Sequence, residues 1–430
     1  MAQRAAGRVL IDVIRIRARE IVRVRQEDRA GGAEWHSTKR SSGCRAAGLR
    51  ISDLGISVAR YATRRQCCRL YFRLLVGHPM HMLEYPQLWI TYGPSIAADE
   101  SLATCIRAGA TGVRLTFSYG SRELQLDRAR QVKRLAAVEG IDVAVVADLQ
   151  GEKNRFAKIG DVDSIPVRVN QPIVIGDVRP SIDADVLHLP VQFAELLANL
   201  SVGDVLVEGD GAILLKVLET DPERSRLTCV ADTDGVIHPG RGFVAQSQTF
   251  HPRPLTEKDV ADAEFTARHS EFDAVALSFV RSGTDIQHLR KIVPNRPLIA
   301  KVETPLGISN VVEIAESSDM VMAARGDLAL TMPWVRLPAA MQTLAKAAED
   351  TRTPWILATQ IAEGLERFAF PTRAEICDLA RWVTTGAHGA MLSYETAFGS
   401  RPAHAVAAVA QVLREYQNDH GRGSERLPVL

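Results

Sequence analysis

The stretch LIAKVETPLGISNVVEIAESSDMVMAARGDL, residues 298–328, decides the fold. It begins with an apolar run that ends in Lys301 and Glu303, and apolar residues at helical spacing follow. A second apolar run, Met320–Met322, leads to Asp327. This strand–helix–strand order predicts a parallel α/β fold whose polar groups collect at the carboxyl ends of the strands. A lysine and two carboxylates there suit a divalent cation that holds an anionic substrate, with a structural ion-pair cluster as the alternative.

The same alternation continues over most of the chain. Eight short apolar runs alternate with helical patterns such as SRELQLDRARQVKRLAAVEG. This pattern predicts a (β/α)8 TIM barrel of the α/β class. The predicted strands are Leu88–Tyr92, Gly112–Phe117, Val143–Leu149, Ala274–Phe279, Pro297–Val302, Met320–Ala324, Trp355–Thr359 and Ala390–Ser393.

Polar side chains stand at seven of these eight strand ends. In a (β/α)8 barrel the chemistry lies at the carboxyl ends of the strands. We therefore expect one polar mouth. The polar residues are Arg114, Ser118, Asp148, Ser278, Lys301, Glu303, Asp327, Thr359, Ser393 and Glu395.

Residues 160–250 interrupt the alternation with β patterns. Segments such as IPVRVNQPIVIG and AILLKVLE are separated by turns at residues 203–204 and 209–211. The pattern predicts a small β domain, expected as a β-barrel, inserted between elements of the catalytic barrel. The catalytic barrel would then comprise residues 83–159 and 251–418, followed by a tail at 419–430.

Charge is distributed unevenly along the chain. The formal net charge is +1, but residues 1–80 hold 16 Arg and one Lys against six acidic residues, which leaves the remainder near −10. An acidic catalytic part argues against nucleic-acid binding. No run of 18 apolar residues occurs, so we expect no membrane span. The six cysteines lack CxxC spacing, and the adjacent Cys67 and Cys68 cannot easily form an ordinary disulfide, which favours a reducing, cytoplasmic location.

Residues 1–82 form a basic N-terminal extension that differs from the rest. Its Arg-rich composition is typical of a targeting segment, although four acidic residues among the first 28 weaken that interpretation. A basic surface-binding arm is a second interpretation. A third is that translation begins at Met80 or Met82, so that the preceding segment is not native.

Five ordered motifs resemble the pyruvate kinase family, and the resemblance covers about residues 88–415. They are KVE at Lys301–Glu303, ARGDL at Ala324–Leu328, ATQ at Ala358–Gln360, PTRAE at Pro371–Glu375 and MLSYET at Met391–Thr396. The resemblance implies transfer of the phosphoryl group of phosphoenolpyruvate to ADP, giving pyruvate and ATP. It also implies that the inserted domain is a lid that closes over the nucleotide, with a passive insertion as the alternative.

The resemblance implies roles for several strand-end residues. Glu303 and Asp327 are similar to the family's two magnesium ligands, with Mn²⁺ as a substitute ion. Lys301 resembles the lysine that stabilises the transferring phosphoryl group, and Arg114 resembles an arginine that grips the phosphate. For Lys301, an ion pair with one of the two carboxylates is the structural alternative.

Three further residues complete the substrate-binding set that the resemblance implies. Thr359 resembles a threonine near the carbon that is protonated, although a β-branched residue is also common at a strand end. Ser278 is similar to a serine near the phosphate and the metal. Gly326 lacks a side chain, so the backbone amides near Asp327 would approach the substrate carboxylate closely.

The nucleotide side departs from the family's usual pattern. Arg155 and Arg241 resemble nucleotide contacts, and the segment that holds Thr116, Ser118 and Tyr119 is expected beside them. In that segment, however, Thr116 stands where the family usually has Asn, and Tyr119 stands where it usually has His. This half of the site is therefore expected to differ in nucleotide affinity or in the phosphoryl acceptor.

The third strand carries the clue to monovalent cations. It reads DLQGEKNR at Asp148–Arg155, and its Leu149, Gln150 and Lys153 resemble a potassium-independent branch of the family. The Lys153 ammonium would replace the charge of K⁺, so we expect no K⁺ requirement. Glu152 and Asn154 replace the usual Pro and Ile.

Other readings remain at this point. A magnesium-dependent pyruvate aldolase would also hold its metal with a Glu and an Asp, but it needs neither Lys301 nor a lid. A non-catalytic phosphoenolpyruvate-binding protein fits the altered nucleotide residues but has little use for Thr359. The chain stops soon after the last predicted barrel helix, so the resemblance implies a short form without the family's C-terminal domain. The oligomeric state stays open, a homo-oligomer included.

Overall fold

The computed structural model describes residues 87–182, 184–209, 211–247 and 251–417. The expectations for the N-terminal extension and for the C-terminal tail lie outside these residues. Within the described part of the chain, no helix is long and apolar enough to cross a membrane.

Sixteen strands and eleven α-helices make up the described residues. The strands are β1 (Gln87–Thr91), β2 (Gly112–Thr116), β3 (Ala144–Asp148), β4 (Ile165–Val167), β5 (Pro172–Gly176), β6 (Leu187–Pro190), β7 (Val205–Glu208), β8 (Ile213–Asp221), β9 (Arg226–Ala231), β10 (Gly235–Ile237), β11 (Phe243–Gln246), β12 (Ala274–Leu277), β13 (Leu298–Val302), β14 (Met320–Ala324), β15 (Trp355–Ala358) and β16 (Gly389–Leu392). The helices are α1 (Asp99–Ala108), α2 (Arg122–Glu139), α3 (Glu257–Arg268), α4 (Gly283–Ile292), α5 (Pro305–Ser309), α6 (Val311–Ser317), α7 (Arg325–Thr331), α8 (Leu337–Thr351), α9 (Arg373–Thr384), α10 (Tyr394–Ala397) and α11 (Pro402–Gln417).

Eight parallel strands close into a barrel in the order β1, β16, β15, β14, β13, β12, β3, β2. The fold-class prediction of a (β/α)8 barrel is therefore confirmed. Because successive side chains of a strand point to opposite faces, each strand contributes to two apolar layers. One layer fills the interior, where small residues such as Ala276 and Ala358 surround Trp89 and Ile299. The other layer packs against the outer helices.

Local sequence signals fix where the outer helices begin. Thr256 and Thr372 are the N-caps of α3 and α9, and each forms a reciprocal capping box with an acidic residue three positions later. In α3 the Thr256 hydroxyl accepts from the Asp259 amide at 3.2 Å, while the Asp259 carboxylate accepts from the Thr256 amide at 3.0 Å. These caps therefore fix the residues at which α3 and α9 begin.

The predicted strands agree with the structure to within two residues at each end. Two of the overruns at carboxyl ends have a common cause. Strand β12 ends before Phe279, which has φ +53°, and β15 ends before Thr359, which has φ +73°. Left-handed backbone cannot continue a strand, so the ladder stops where the candidate site begins.

The inserted segment is a separate β structure with its own apolar core. Its strands form a six-stranded sheet, ordered β11, β7, β8, β9, β5, β6, and a two-stranded sheet of β10 and β4. The expected β-barrel is corrected accordingly: among the described residues the insertion consists of these two sheets. Leu330 of α7, at the barrel mouth, packs against the core of the insertion.

Candidate active site

A buried lysine lies at the centre of the barrel mouth. The Lys301 ammonium, at the end of β13, donates to the Ser278 hydroxyl at 2.7 Å and lies 3.2 Å from the Glu303 carboxylate. It also lies 3.2 Å from Oδ1 of Asp148. Only 7% of Lys301 is exposed to solvent. Such a charge is tolerated in the interior because its partners surround it.

Asp148 connects two cations of the mouth. Its Oδ2 accepts from Nε of Arg114 at 2.6 Å, and its Oδ1 faces Lys301. Arg114 also donates to the Thr91 hydroxyl on the neighbouring strand at 3.3 Å. The carboxylate therefore fixes the orientation of both cations, from strands β2 and β13, before any ligand arrives.

The charges of the cluster determine its protonation. Burial by itself would raise the pKa of Asp148, but the charges of Lys301 and then Arg114 outweigh burial and hold this pKa below its ordinary value. Burial would likewise lower the pKa of Lys301, but Asp148 and Glu303 outweigh it and raise the pKa. Lys301 is therefore a permanent cation at neutral pH.

The two candidate metal ligands differ in their surroundings. Oε2 of Glu303 accepts from the backbone amide of Phe279 at 2.7 Å. Burial raises the pKa of Glu303, and the Lys301 ammonium offsets only part of this effect. For Asp327, burial would raise the pKa, but the charge of Lys153 outweighs it and lowers the pKa.

These carboxylates suit magnesium in donor type and in charge. Both are oxygen donors on adjacent elements, and the Asp327 charge contributes to the raised pKa of Glu303. A divalent cation would remove the cost of holding both groups ionised. Among the described residues, no cluster of three or more Asp, Glu, His or Cys side chains forms a metal site. Magnesium requires no such cluster, because it retains several waters and takes few protein carboxylates.

Lys153 lies in the segment where the chain leaves the barrel for the inserted domain, and its side chain reaches this site. Its ammonium donates to both oxygens of Asp327, at 2.7 and 3.0 Å. The stem of Lys153 passes over Gly242, where an added Cβ would lie 2.6 Å from the lysine Cε. Glycine at 242 is therefore needed for Lys153 to reach Asp327 along this path.

Thr359 and Gly326 are packed together at the carboxyl ends of β15 and β14. A Cβ added at Gly326 would lie 3.1 Å from Cγ2 and 3.4 Å from the hydroxyl oxygen of Thr359. Gly326 and Asp327 lie in the first turn of α7, so the carboxylate of Asp327 is favoured by the helix dipole. The absence of a side chain at 326 thus gives Thr359 its position.

A cavity of about 250 Å³ lies between the inserted domain and the barrel mouth. Arg155, Arg241 and Tyr119 line it, together with Lys153 and Asp327. The Arg155 guanidinium lies 5.2 Å from the centre of the Tyr119 ring, and its Nη1 donates to the Gly240 carbonyl at 3.1 Å. This cavity joins the nucleotide-binding candidates to the acid–lysine cluster.

Two further nucleotide-binding candidates lie at the end of β2 and in the turn just before Tyr119. Thr116 ends β2, and its carbonyl accepts from the Gln125 side chain at 3.0 Å. Ser118 lies in the turn that follows. Neither is among the described residues that line the cavity. The sequence placed them correctly at the strand end, but the cavity opens farther along the chain, at Tyr119.

The two unusual residues of the third-strand motif connect the barrel to the inserted domain. Glu152 is fully buried and accepts from the backbone amide of Arg253 at 2.7 Å and from its Nε at 2.6 Å. Asn154, also fully buried, exchanges hydrogen bonds with the backbone of Phe193 at 2.9 and 3.1 Å. Glu152 thus joins the two segments that connect the barrel to the inserted domain, and Asn154 joins the first of these segments to the domain. Neither residue is among the described residues that line the cavity.

One strand-end residue was wrongly expected at the mouth. Glu395 is fully buried, and its carboxylate accepts from the backbone amides of Ile361, Ala362 and Ser393 at 2.8–3.1 Å. Its role is to tie the ends of β15 and β16 together. A carboxylate two residues past a strand can face the mouth or turn back to loop amides, and the sequence pattern does not distinguish these two orientations.

Two residues of the site had been given no role on the basis of the sequence. Asp148 was recognised only as one of several polar strand ends, although it bridges Arg114 and Lys301. Arg325, within the ARGDL motif, contacts the backbone at Thr359 and Gln360. The signal for Asp148 was its place at a strand end, but its partners come from distant strands.

The fold and the site together define a (β/α)8-barrel enzyme with an inserted β domain. Comparison with protein families gives a match to the barrel domain of pyruvate kinase over residues 86–406. The chain belongs to the pyruvate kinase family.

Individual relatives agree with this assignment. The pyruvate kinase of Thermococcus litoralis is 31% identical over 338 residues, covering 77% of this chain and 70% of the relative. The pyruvate kinase of Haemophilus influenzae is 32% identical over 347 residues, covering 79% and 70%. That of Dictyostelium discoideum is 28% identical over 348 residues, covering 80% and 68%.

Proposed function

We propose that this chain is a pyruvate kinase, which transfers the phosphoryl group of phosphoenolpyruvate to ADP and forms pyruvate and ATP. The observation that carries the proposal is the buried Lys301 ammonium, held 2.7 Å from Ser278 at the barrel mouth. Asp327, on the neighbouring element, lines a cavity together with Arg155 and Arg241. Phosphoryl transfer depends on positioned cations of this kind, because the protein supplies mainly orientation and electrostatic stabilisation.

The phosphate of phosphoenolpyruvate would bind Lys301, Arg114 and Ser278. Arg114 is one-fifth exposed and Lys301 less than one-tenth, so the phosphate would replace little water at Lys301. Because Asp148 already orients both cations, they need no large rearrangement as charge develops on the phosphoryl group. Gly326 and the amides near Asp327 would receive the substrate carboxylate.

Glu303 and Asp327 would hold Mg²⁺, or Mn²⁺ in its place. When bound, the ion would neutralise charge on the phosphate oxygens. Asp327 would have to exchange at least one of its two hydrogen bonds with Lys153 for the ion. Burial and the nearby Asp327 charge raise the pKa of Glu303, and a bound cation would offset both effects.

The nucleotide would lie against Tyr119, Arg155 and Arg241, with Thr116 and Ser118 at the edge of this region. The inserted domain would act as a lid, because closure over the cavity excludes water that would otherwise hydrolyse the phosphoryl donor. A different phosphoryl acceptor is the second candidate. It is favoured by Tyr119, which is 62% exposed beside the cavity.

One assay separates the candidates. Pyruvate release from phosphoenolpyruvate is measured with and without ADP, with ATP measured in parallel. A pyruvate kinase forms both products only with ADP present. Binding of phosphoenolpyruvate without turnover would instead identify a non-catalytic binder, and turnover only with another acceptor would identify the second candidate.

We further propose that turnover does not require K⁺. The Lys153 ammonium lies 2.7 Å from the Asp327 carboxylate, and its positive charge would replace that of the ion. Turnover is compared in tetramethylammonium buffer with and without KCl. Lys153→Met should lose activity and regain part of it with K⁺, and a large K⁺ activation of the unmodified chain would contradict the proposal. A cytoplasmic location and a homo-oligomeric state remain predictions.

A further inference from the structure

Arg325 holds the backbone on which Thr359 is carried. Its Nη2 donates to the carbonyl oxygens of Thr359 at 2.7 Å and Gln360 at 3.0 Å, and its Nη1 pairs with the Asp378 carboxylate. Nε lies 3.4 Å from the Ala358 carbonyl. The planar guanidinium, with its donors in a fixed fork, thus joins three consecutive carbonyls to one carboxylate.

These carbonyls belong to a strained segment. Thr359 has φ +73° and Gln360 has φ +53°. Positive φ is unusual for any residue with a side chain and most unusual for a β-branched one such as Thr359. Two consecutive residues of this kind persist only where the surroundings impose them, and such strain concentrates at functional sites. The Arg325 fork is the contact that spans both of them.

The Arg325 fork is also tied to helix α9. Asp378 of α9 accepts from the indole nitrogen of Trp382 at 2.8 Å. The Trp382 ring meets Trp355 of β15 edge-on, with centroids 6.0 Å apart and planes at 77°. Asp378 and Trp382 therefore link Arg325 to β15, and the backbone that Arg325 contacts lies at the end of this same strand. A displacement of the guanidinium would release the turn at Thr359.

We propose that Arg325 is a positioning residue for Thr359, and the inference rests on the proposed function. After phosphoryl transfer, C3 of the pyruvate enolate takes a proton from water at the Thr359 hydroxyl. A C3–H bond forms, the enolate oxygen regains its carbonyl bond, and hydroxide is left to the solvent. Arg325 acts through Thr359 and the adjacent Gly326, since the Thr359 hydroxyl lies 3.4 Å from where a Gly326 Cβ would be.

The test separates proton transfer from phosphoryl transfer. Arg325→Lys keeps the charge but loses the fork. It should slow deuterium exchange into the pyruvate methyl group, followed by NMR in D₂O, by about 100-fold. ATP formation should fall much less, and KM for phosphoenolpyruvate should change little. An equal loss in exchange and in ATP formation would overturn the inference.

Two further variants keep the test decisive. Arg290→Lys is the matched control, because Arg290 pairs with Asp319 at 2.5 Å and donates to the Arg296 carbonyl at 2.9 Å, at the opposite end of the barrel. It should leave the ratio of exchange to ATP formation unchanged, and a lowered ratio would overturn the inference. If Arg325→Lys does not fold, Asp378→Asn retains the acceptor for Trp382 and should lower the same ratio.

The outcomes distinguish the two proposals. A wild-type chain that forms no pyruvate overturns the proposed function. A wild-type chain that is active, with the exchange ratio unchanged in Arg325→Lys and Asp378→Asn, overturns only the role of Arg325. Millimolar guanidinium should restore exchange in Arg325→Ala, and failure of this rescue with a folded variant also counts against the role.

Discussion

The proposed phosphate half and the proposed nucleotide half of the site are built differently. In the phosphate half, Lys301, Asp148 and Glu303 are each at most 7% exposed, and the Lys301 ammonium lies 3.2 Å from each carboxylate. In the nucleotide half, Tyr119 is 62% exposed, and Arg155 rests on its ring and on one backbone carbonyl. The first half is organised before binding, whereas the second presents replaceable contacts.

This difference indicates where each half derives its specificity. A preorganised cluster stabilises developing charge without rearrangement, and it tolerates little change. Exposed side chains contribute affinity through contacts that water also makes, so they can vary at lower cost. The departures from the family pattern at Thr116 and Tyr119 accordingly fall in the nucleotide half.

Replacing the central lysine should have the largest effect. Lys301→Met removes the buried ammonium from Ser278 and Glu303, and it should lower turnover by about 1000-fold or more while phosphoenolpyruvate binding is partly kept. The measurement is kcat in the coupled assay, with calorimetric binding of phosphoenolpyruvate. Lys133→Met is the control, because Lys133 pairs with Asp273 at 2.5 Å at the far end of the barrel. Unchanged turnover in Lys301→Met would reject the preorganised role.

Removing the bridging carboxylate should have an intermediate effect that depends on pH. The pKa of Asp148 is lowered below 3.8, because Lys301 and Arg114 outweigh burial. A lowered pKa means that the carboxylate stabilises the fold above its unfolded-state pKa and that this stability is lost as pH falls through the folded-state pKa. Asp148→Asn should cost about 3 kcal/mol at neutral pH, since two cations lose their partner.

The check is urea unfolding of both chains between neutral pH and about pH 3. The stability difference between wild type and Asp148→Asn should shrink below about pH 4. A constant difference across the range would contradict the assignment. Turnover is measured alongside: Asp148→Asn should lower it, whereas Asp273→Asn, which removes the carboxylate paired with Lys133, should leave it near the wild-type value.

A substitution in the exposed nucleotide half should change the kinetics least. Tyr119→Ala removes one cation–π contact of about 1 kcal/mol, so KM for ADP should rise about fivefold with kcat nearly unchanged. Phe370→Ala is a matched control, because Phe370 is 77% exposed and is not among the residues that line the cavity. A large fall in kcat for Tyr119→Ala would mean that the nucleotide half is as preorganised as the phosphate half.

Much of the fold could be predicted from the sequence, because the spacing of apolar residues indicates which side chains are buried. The eight strand runs and the polar strand ends were readable, since each depends on residues adjacent in the chain. Strand order predicted that Lys301, Ser278 and Glu303 share one mouth, and the structure brings Lys301 into contact with the other two. The roles assigned to these residues remain predictions.

What the sequence missed depends on contacts between distant segments or on backbone conformation. Asp148 meets Lys301 across 153 residues, and Glu395 turns back to amides 33 and 34 residues away. The positive φ of Thr359 and Phe279 ended two strands earlier than their apolar pattern did. No local pattern encodes these features, because they arise when several strand ends are brought to one mouth.

The junction at Glu152 and Arg253 has a consequence for the history of the fold. The backbone amide of Glu152 donates to the carbonyl of Arg253 at 3.0 Å, so the chain leaves and rejoins the barrel at neighbouring points. For the barrel, everything between these residues is equivalent to one closed loop, whose entropic cost grows only slowly with length. The inserted domain is thus a detachable module, and lineages could lengthen, shorten or replace it without redesigning the cylinder beneath.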